Sequence, residues 1–457
     1  MNPNHLPVAL AGLALAAPAF ALTPCHLPRL AEQVECGVID VPEDRSRPEG
    51  RRIPIHFARI PASARPAAAD PLLVLAGGPG QAATDYTPLL AGAFREVRKR
   101  RDILLIDQRG TGRSSPLRCR LPVEAIGRGD TAAVQASLRR CASSLQADPR
   151  HYHTVSALAD FEDVRQRLGY RQVSLWGGSY GTRTALMYAR RYPSSVRSMV
   201  LDSVAPPDVR LLLNARQAQA ALERLLDDCA ADASCSKAFP ALARDLDKVL
   251  AMPSIGAHAG AAVPQLLRGP LYTTHHASVL PYAIHAAANG RPQALLALYG
   301  ATAGWSTDGM AFGQTLSALC VEEAPFVDDA AVAHDAGGSR FGGAYAQSWR
   351  DWCAAWPAAA PNDDATRPVV SGIPTLLLAG GLDPVTPPDH ARVAARTLRR
   401  SRVLVAERAG HIVSGAGCAP RLVDAFLEHA DPAAVDGRCL DAIRRPPFVL
   451  ANGQPTL

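Results

Sequence analysis

The segment that most constrains the fold is Gly-Gly-Ser-Tyr-Gly at positions 177–181, which follows directly on an apolar run at 173–176. The pattern predicts a strand over 172–177 that turns sharply into a helix over 182–192. Small residues are needed beside the central serine, because strand and helix approach closely and the serine backbone is strained. Such a turn would point the Ser179 hydroxyl over the sheet edge, near the positive end of the helix. A Gly-rich turn that happens to contain serine is the plain alternative.

Two later segments supply the partners that a serine nucleophile needs. An apolar strand near 374–379 is followed by Gly-Leu-Asp-Pro, which places Asp383 just past the strand end. A strand near 402–407 is followed by a loop that contains His411. Serine, then acid, then histidine, with acid and base in loops after later strands, is the order expected for such a serine turn. A helix-capping aspartate and a surface histidine are the alternatives, but the shared order favours a catalytic set.

These three side chains would divide one acyl-transfer reaction between them. The Ser179 hydroxyl is a poor nucleophile at neutral pH, so the His411 imidazole has to take its proton during attack. The Asp383 carboxylate would fix the imidazole tautomer and stabilise the imidazolium ion. We therefore predict Ser179, Asp383 and His411 as the catalytic residues.

A second glycine-rich loop predicts an oxyanion hole. The apolar strand near 72–76 ends in Gly-Gly-Pro-Gly at 77–80, a loop whose bare backbone can face a ligand closely. We expect one N–H donor from Tyr180, the residue after the nucleophile, and the other from Gly78, with Gly77 as the alternative. A phosphate-binding loop is less favoured, since no Lys-Ser/Thr pair follows.

Together these motifs resemble one branch of the α/β-hydrolases. The loop at 77–80, the segment Asp-Gln-Arg-Gly-Thr-Gly-Arg-Ser at 107–114 and the serine turn are similar to the proline iminopeptidase group. More narrowly, with segments 160–165 and 198–203, they resemble secreted tripeptidyl-aminopeptidase-like enzymes. The family's first loop often begins with histidine, where this chain has Ala76. The resemblance implies a serine peptidase that hydrolyses peptides at their amino termini.

The resemblance also implies a site for the charged amine of the substrate. The segment Leu-Cys-Val-Glu-Glu-Ala-Pro at 319–325 resembles an acidic motif of the family's cap, where such residues hold the amino terminus. We therefore expect Glu322 or Glu323 to bind the amine, since a carboxylate is its simplest partner. A solvated acidic pair at a helix end is the alternative. The expected partner is a peptide with a free amino terminus.

The spacing of the strands predicts an α/β fold, a mostly parallel sheet covered by helices with an inserted helical cap. Residues 22–207 would form the first part of this core, with a hairpin over 37–61, and residues 371–457 the second part. Between them, residues 208–370 lose the strand–helix alternation and contain amphipathic helices. A segment of this length is not a simple loop, and we expect it to cap the active site and exclude water.

The amino terminus indicates export. An apolar stretch over residues 6–20 leads to Ala-Phe-Ala at 19–21, which fits a secretory signal peptide cleaved near Ala21. The stretch is short and broken by proline for a membrane span, and no other segment approaches one. We expect a periplasmic or secreted protein without a membrane span in its mature chain.

The ten cysteines agree with export, because disulfides persist in oxidising compartments. An even count without a Cys-x-x-Cys pair favours disulfides over a metal site, and we expect neither a metal nor a cofactor. Sequence does not fix the connectivity. The simplest pairing joins sequential neighbours: Cys25–Cys36, Cys119–Cys141, Cys229–Cys235, Cys320–Cys353 and Cys418–Cys439.

Composition and motifs leave more than one function open. The net charge of +6 is small for 457 residues, and we expect the basic run at 95–101 to close a helix rather than bind nucleic acid. An aminopeptidase is the preferred interpretation. An esterase or lipase-like hydrolase on the same triad is the alternative, since fold does not fix substrate. The intact triad argues against a catalytically dead binding protein. The preferred amino-terminal residue, the length of the released peptide and the oligomeric state stay open.

Overall fold

The computed structural model describes residues 22–303 and 309–450 of the chain, so the predicted signal peptide at residues 1–21 lies outside the described residues. Eleven strands occur in the described part. They are β1 (Thr23–Cys25), β2 (Val34–Pro42), β3 (Arg52–Ile60), β4 (Leu72–Leu75), β5 (Ile103–Ile106), β6 (Val173–Gly178), β7 (Val196–Asp202), β8 (Ser254–Ile255), β9 (His258–Ala259), β10 (Thr375–Gly380) and β11 (Ser401–Ala406). The predicted core strands and the β2–β3 hairpin are therefore confirmed to within a few residues.

Nine of these strands form one sheet in the order β1-β2-β3-β5-β4-β6-β7-β10-β11. The pairs from β5 to β11 are parallel, whereas β1, β2, β3 and β5 pair antiparallel. Every residue of β4, β5, β6 and β10 is buried. Parallel strands are covered on both faces, which explains why these segments are continuous apolar runs in the sequence. The predicted α/β fold with a mostly parallel sheet is confirmed.

Helices follow most of the strands and make up much of the segment between β7 and β10. The α-helices of the described part are α1 (Pro88–Ala91), α2 (Val123–Gly127), α3 (Thr131–Ser144), α4 (Thr154–Arg167), α5 (Tyr180–Arg191), α6 (Ala215–Ala231), α7 (Ala233–Ala238), α8 (Leu242–Leu250), α9 (Gln265–Arg268), α10 (Thr274–Ala288), α11 (Gln293–Ala303), α12 (Phe312–Glu322), α13 (Asp329–Ala336), α14 (Ala344–Cys353), α15 (Pro388–Ala395) and α16 (Ala419–His429).

The helix predicted to end at 95–101 is only a 3₁₀ turn, Val97–Lys99. The carbonyl oxygens of Arg98 and Lys99 accept hydrogen bonds from the backbone N–H groups of Ser63 and Ala64, at 3.1 and 2.9 Å. These contacts with the segment before β4 take the place of a further helical turn. The basic side chains therefore do not sit at the end of a regular α-helix.

The two faces of the sheet pack into separate apolar cores. In β4, Leu73 and Leu75 belong to one core, and Leu72 and Val74 to the other, as the alternation of side chains along a strand requires. Helices α4 and α5 cover the first core, and α16 covers the second. Full burial of each such side chain stabilises the fold by roughly 1.5–3 kcal/mol. The carboxyl ends of the parallel strands are thereby held at one edge.

Helices α6–α14 and the small β8–β9 hairpin lie between Asp202 at the end of β7 and Thr375 at the start of β10. This segment has an apolar core of its own, to which α6, α8 and α10 contribute. The predicted boundaries of a cap at 208–370 stay a prediction. Among the described residues, no helix is both long and apolar enough to cross a bilayer.

The described part contains five disulfides, and each joins the sequential neighbours that the simplest pairing predicts. Cys25–Cys36 joins β1 to β2 at the antiparallel end of the sheet, and the other four lie outside the strands. Cys320–Cys353 joins α12 to α14. In the same part of the chain, no group of three or more His, Cys, Asp or Glu side chains is arranged to hold a metal ion.

Candidate active site

Ser179 occupies a strained turn between β6 and α5. Its backbone angles are φ 56° and ψ −124°, in a region that non-glycine residues adopt rarely. A Cβ atom at Gly177 would lie 2.4 Å from the carbonyl oxygen of Gly181. A Cβ atom at Gly181 would lie 2.1 Å from the carbonyl oxygen of Leu75. Only glycine fits at these two positions, so the motif follows from the close packing of α5 against β4 and β6.

The structure brings Asp383 and His411 together. Asp383 follows β10, His411 follows β11, and the His411 Nδ1 atom lies 2.7 Å from the Asp383 Oδ2 atom. Thr386, which the sequence did not indicate, donates its hydroxyl to the same carboxylate oxygen at 2.8 Å. The backbone N–H groups of Val385 and Thr386 bind the other oxygen, Oδ1, both at 2.9 Å. This arrangement fixes the orientation of the imidazole ring.

Burial and charge act in opposite directions on this pair. Burial raises the pKa of the Asp383 carboxyl, but the His411 charge, its hydrogen bond and two N–H donors outweigh burial and hold the pKa well below its ordinary value. Burial lowers the pKa of His411, but the neighbouring Asp383 charge outweighs burial and raises the pKa above 6.5. An ionised aspartate beside a basic imidazole is the charge state that general-base catalysis requires.

The nucleophile turn lies against the loop that contains His411. A Cβ atom at Gly178 would lie 3.2 Å from the Cδ1 atom of Ile412, the residue after the histidine. Within the described ranges, neither the Ser179 hydroxyl nor the His411 Nε2 atom has a hydrogen-bond partner. Catalytic hydrogen bonds often form only in the substrate complex. Both groups are therefore available for proton transfer.

The glycine-rich loop after β4 packs on the same turn. A Cβ atom at Gly77 would lie 3.2 Å from the Cβ atom of Ser179. The Gly77 N–H group is already engaged, since it donates to the Tyr86 hydroxyl at 2.9 Å. By contrast, the N–H groups of Gly78 and Tyr180 have no acceptor in the part of the chain that the structure describes. Tyr180 follows Ser179, and Gly78 follows the glycine that packs on it, so the oxyanion hole predicted from these two N–H groups stays a prediction that the free donors permit.

Helix α12 holds this glycine loop in place. The Thr315 hydroxyl donates to the carbonyl oxygen of Pro79 at 2.7 Å, and the Ala311 N–H group donates to the carbonyl oxygen of Gly80 at 2.9 Å. A Cβ atom at Gly80 would lie 2.4 Å from the Thr315 Oγ1 atom. The sequence did not indicate Thr315, because this contact joins positions 236 residues apart.

The carboxyl end of the same helix contacts Tyr180 through Glu322. The Tyr180 hydroxyl donates to Glu322 Oε2, and the Thr154 N–H group donates to Glu322 Oε1 at 2.9 Å. Glu322 is fully buried. Burial raises the pKa of both the Glu322 carboxyl and the Tyr180 hydroxyl. Glu322 thereby fixes the residue that carries one of the two free N–H groups.

Glu323 is paired inside the protein. Its Oε1 atom binds the Arg183 guanidinium, its Oε2 atom accepts the Leu211 N–H group at 2.8 Å, and both charged side chains are fully buried. A substrate amine would have to displace Arg183 to reach this carboxylate. The geometry therefore gives no support to an amine contact at Glu323, and none at Glu322, whose oxygens are also engaged. The predicted amine site at Glu322 or Glu323 stays a prediction.

Two family models match parts of this chain. Residues 70–251, which contain β4 to β7 and Ser179, match the model of the alpha/beta hydrolase fold. The chain has the α/β-hydrolase fold. Residues 339–439 of the chain, which contain Asp383 and His411, match the model of TAP-like proteins.

Three curated relatives are each 28% identical to the hydrolase over part of its length. Serine protease Hip1 of Mycobacterium tuberculosis matches over 225 residues, which are 44% of this chain and 42% of that protein. Tripeptidyl aminopeptidase of Streptomyces lividans matches over 196 residues, 39% of this chain and 36% of that protein. Carboxylesterase B of Mycobacterium tuberculosis matches over 226 residues, which are 45% of this chain and 42% of that protein. The hydrolase thus spans less than half the length of the relatives it matches.

Proposed function

We propose that this hydrolase cleaves acyl bonds through a covalent acyl-enzyme at Ser179. The observation that carries the proposal is the His411 imidazole, which is fixed by Asp383 at Nδ1 and free at Nε2 beside a strained serine turn. His411 Nε2 takes the hydroxyl proton as the serine oxygen attacks the acyl carbon. Asp383 stabilises the resulting imidazolium.

The remaining steps use the backbone around the serine. As the tetrahedral intermediate forms, the acyl oxygen gains negative charge and accepts hydrogen bonds from the N–H groups of Gly78 and Tyr180. His411 then returns its proton to the leaving group, and the bond between the acyl carbon and that group breaks. Water then attacks the acyl carbon while His411 takes its proton, the bond between that carbon and the Ser179 oxygen breaks, and the serine oxygen takes the proton back from His411. Each N–H donor contributes about 3–4 kcal/mol of transition-state stabilisation.

The proposed substrate is a peptide with a free amino terminus, from which the enzyme releases residues or short peptides. The match to TAP-like proteins and the relatives named serine protease and tripeptidyl aminopeptidase support a peptidase. We also propose that the protein is exported to the periplasm or secreted, which the five disulfides support. A relative named carboxylesterase favours small acyl esters as the second candidate.

Covalent labelling tests the nucleophile. A fluorophosphonate should modify the wild-type chain at one position, and mass mapping should place the label on Ser179. Ser179→Ala should not be labelled and should lose turnover by a factor of about a million. Ser194→Ala, which changes an exposed serine in the 3₁₀ turn Pro193–Ser195 between α5 and β7, is the control and should be labelled normally. Label on another serine, or turnover in Ser179→Ala, would contradict the mechanism.

Three kinds of substrate test which bond is cleaved. Peptide anilides with a free amino terminus are compared with the same peptides acetylated, and with a simple aryl ester. The peptidase proposal expects the free peptides to be cleaved far faster than the acetylated ones. Equal rates on free and acetylated peptides refute amine recognition and favour the esterase.

A further inference from the structure

The loop after His411 is held by two consecutive residues at the end of β7. Asp202 Oδ1 accepts the Val413 N–H group at 2.8 Å, and Asp202 Oδ2 accepts the Ser414 N–H group at 2.7 Å. The Ser203 hydroxyl oxygen accepts the Ile412 N–H group at 2.8 Å. The three successive N–H groups directly after the histidine are therefore bound by the side chains of Asp202, the last residue of β7, and of Ser203, which follows it.

The strand order explains how β7 reaches this loop. β7 lies between β6, which leads to Ser179, and β10, which leads to Asp383. The Ser179 N–H group donates to the carbonyl oxygen of Asp202 at 2.9 Å. One residue thus contacts the nucleophile turn through its backbone and the histidine loop through its side chain. Ser203 and Ile412 both have positive φ angles, 59° and 70°, strained conformations that persist only where the surroundings enforce them.

Asp202 has the surroundings of an ionised carboxylate. Its oxygens accept hydrogen bonds from three donors, the N–H groups of Val413 and Ser414 and the Ser414 hydroxyl. A carboxyl group whose two oxygens only accept hydrogen bonds is in its ionised form. The Ser414 oxygen is held in turn by the Trp176 indole N–H group at 2.9 Å. Asp202 is fully buried, and burial raises the pKa of its carboxyl, whereas the hydrogen bonds from Ser414 and Val413 and the His411 charge act against burial and favour the carboxylate. Water screens a charge at this position only weakly.

Few charged groups face the His411 ring. Asp383 binds it from the loop after β10, and Asp202 acts on it from β7 without a direct hydrogen bond. The Tyr272 ring packs edge to face against the imidazole, with centroids 5.2 Å apart. The backbone N–H group of His411 donates to the carbonyl oxygen of Tyr272 at 2.8 Å. Tyr272 stays neutral in the working range, because burial raises its pKa far above 10. The Asp202 charge is thus the second negative charge near the imidazole.

We propose that Asp202 and Ser203 are positioning residues, which fix the His411 loop through its backbone, and that the Asp202 charge makes the imidazole more basic. The inference rests on the proposed acyl-enzyme mechanism and assigns to it two residues that do not touch the substrate. Asp202 is not an alternative triad acid, since Asp383 already binds Nδ1. Its contribution is to stabilise the imidazolium from a second direction and to hold Nε2 toward Ser179.

The test uses Asp202→Asn, with Ser203→Gly as a second variant. Glycine tolerates the positive φ at position 203, and the substitution removes the hydroxyl together with the Cβ atom that carries it. Asp102→Asn is the matched control, because Asp102 is also a buried carboxylate with a backbone and a tyrosine donor, Ala62 N–H and the Tyr170 hydroxyl. It lies at the opposite end of the parallel strands, just before β5. Rates on a neutral aryl ester are measured against pH and divided by the fraction of sites that a fluorophosphonate titrates.

Asp202→Asn should lower kcat/KM about 10- to 100-fold and move the acid-limb midpoint down by about half a pH unit. Ser203→Gly should lower kcat with the midpoint unchanged. Asp102→Asn should leave kcat/KM per active site and the acid-limb midpoint unchanged. An unchanged midpoint in Asp202→Asn overturns the inference. If that variant does not fold, an unchanged kcat in Ser203→Gly overturns the positioning role. Failure of the wild type to label at Ser179 overturns the proposed function instead.

Discussion

The Tyr180 hydroxyl donates a hydrogen bond to the buried carboxylate of Glu322, the last residue of α12. Tyr180 is also the first residue of α5 and follows Ser179, and its N–H group is one of the two that we predict to bind the developing oxyanion. The amino end of α12 binds the glycine loop that carries the other N–H donor. One helix of the inserted segment therefore contacts both sides of the predicted oxyanion hole.

We predict that Glu322→Gln lowers kcat/KM about 10- to 100-fold on a neutral aryl ester as well as on peptides. The amide would offer a donor where Tyr180 needs an acceptor, and Tyr180 would shift. Glu162→Gln is the control, because Glu162 accepts a hydroxyl from Tyr188 on the same helix, α5, away from the site. Steady-state kinetics on both substrates check the prediction. A loss confined to free-amine peptides would instead support the predicted amine contact.

The parts of this site that the sequence predicted are those determined by local geometry. Ser179, Asp383 and His411 each follow an apolar strand, and parallel strands bring their carboxyl ends to one edge. Glycine is required at 177 and 181, because a Cβ atom there would lie only 2.4 and 2.1 Å from backbone carbonyl oxygens. The motif therefore follows from a steric constraint. The sheet and the disulfide pairs were predictable for similar reasons, since they depend on local patterns.

The positioning contacts were not predictable in the same way. Thr315, Asp202 and Glu322 act across 140–240 residues of chain, and no local pattern distinguishes them from other buried polar residues. The acidic pair illustrates the difference. The sequence predicts an amine contact at Glu322 or Glu323, which stays a prediction, but it does not predict that the two carboxylates bind tyrosine and arginine side chains of α5 inside the protein. The partners of these two carboxylates depend on side-chain contacts between α12 and α5, which are far apart in the sequence.

Glu323→Gln should destabilise the fold rather than change substrate choice. It would leave the fully buried Arg183 without its carboxylate, which costs about 3–5 kcal/mol. Asp364→Asn is the control, because it breaks an exposed pair with Arg367 and should cost less than about 1 kcal/mol. Urea unfolding of the three chains checks the difference. Equal midpoints for Glu323→Gln and the wild type would contradict the buried ion pair.

The activity of the wild type should depend on the protonation of His411. Because Asp383 raises the pKa of His411 above 6.5, the acid limb of kcat/KM should have its midpoint above pH 6.5. Asp383→Asn should move this midpoint to lower pH and cut turnover about ten-thousand-fold. A pH series on an aryl ester measures both effects. A wild-type midpoint below pH 6.5 would contradict the prediction that the Asp383 charge raises the pKa of His411.

The same pKa shifts predict how stability depends on pH. The raised pKa of His411 contributes stability that is complete below pH 6.5 and is lost as pH rises through the folded-state pKa. The lowered pKa of Asp383 contributes stability that is present above its ordinary value and is lost as pH falls. Urea midpoints of the wild type and Asp383→Asn across pH separate the two contributions.

The disulfide between Cys320 and Cys353 should matter for activity as well as stability. Cys320 lies two residues before Glu322, and the bond joins α12 to α14. Its removal in a Cys320→Ser, Cys353→Ser double variant should cost about 2–4 kcal/mol. It should also loosen the helix that binds the Tyr180 hydroxyl and the glycine loop, and so lower kcat on a neutral ester at temperatures where the fold persists.

The Cys25–Cys36 bond provides the control, since it joins β1 to β2 at the far end of the sheet from β10 and β11. A Cys25→Ser, Cys36→Ser double variant should lose stability with kcat unchanged. Rates per fluorophosphonate-titrated site, measured well below each melting temperature, separate the two effects. If both double variants keep the wild-type kcat per active site, α12 does not need its disulfide to position Tyr180. If both lose it equally, the loss comes from general instability rather than from the α12 contact.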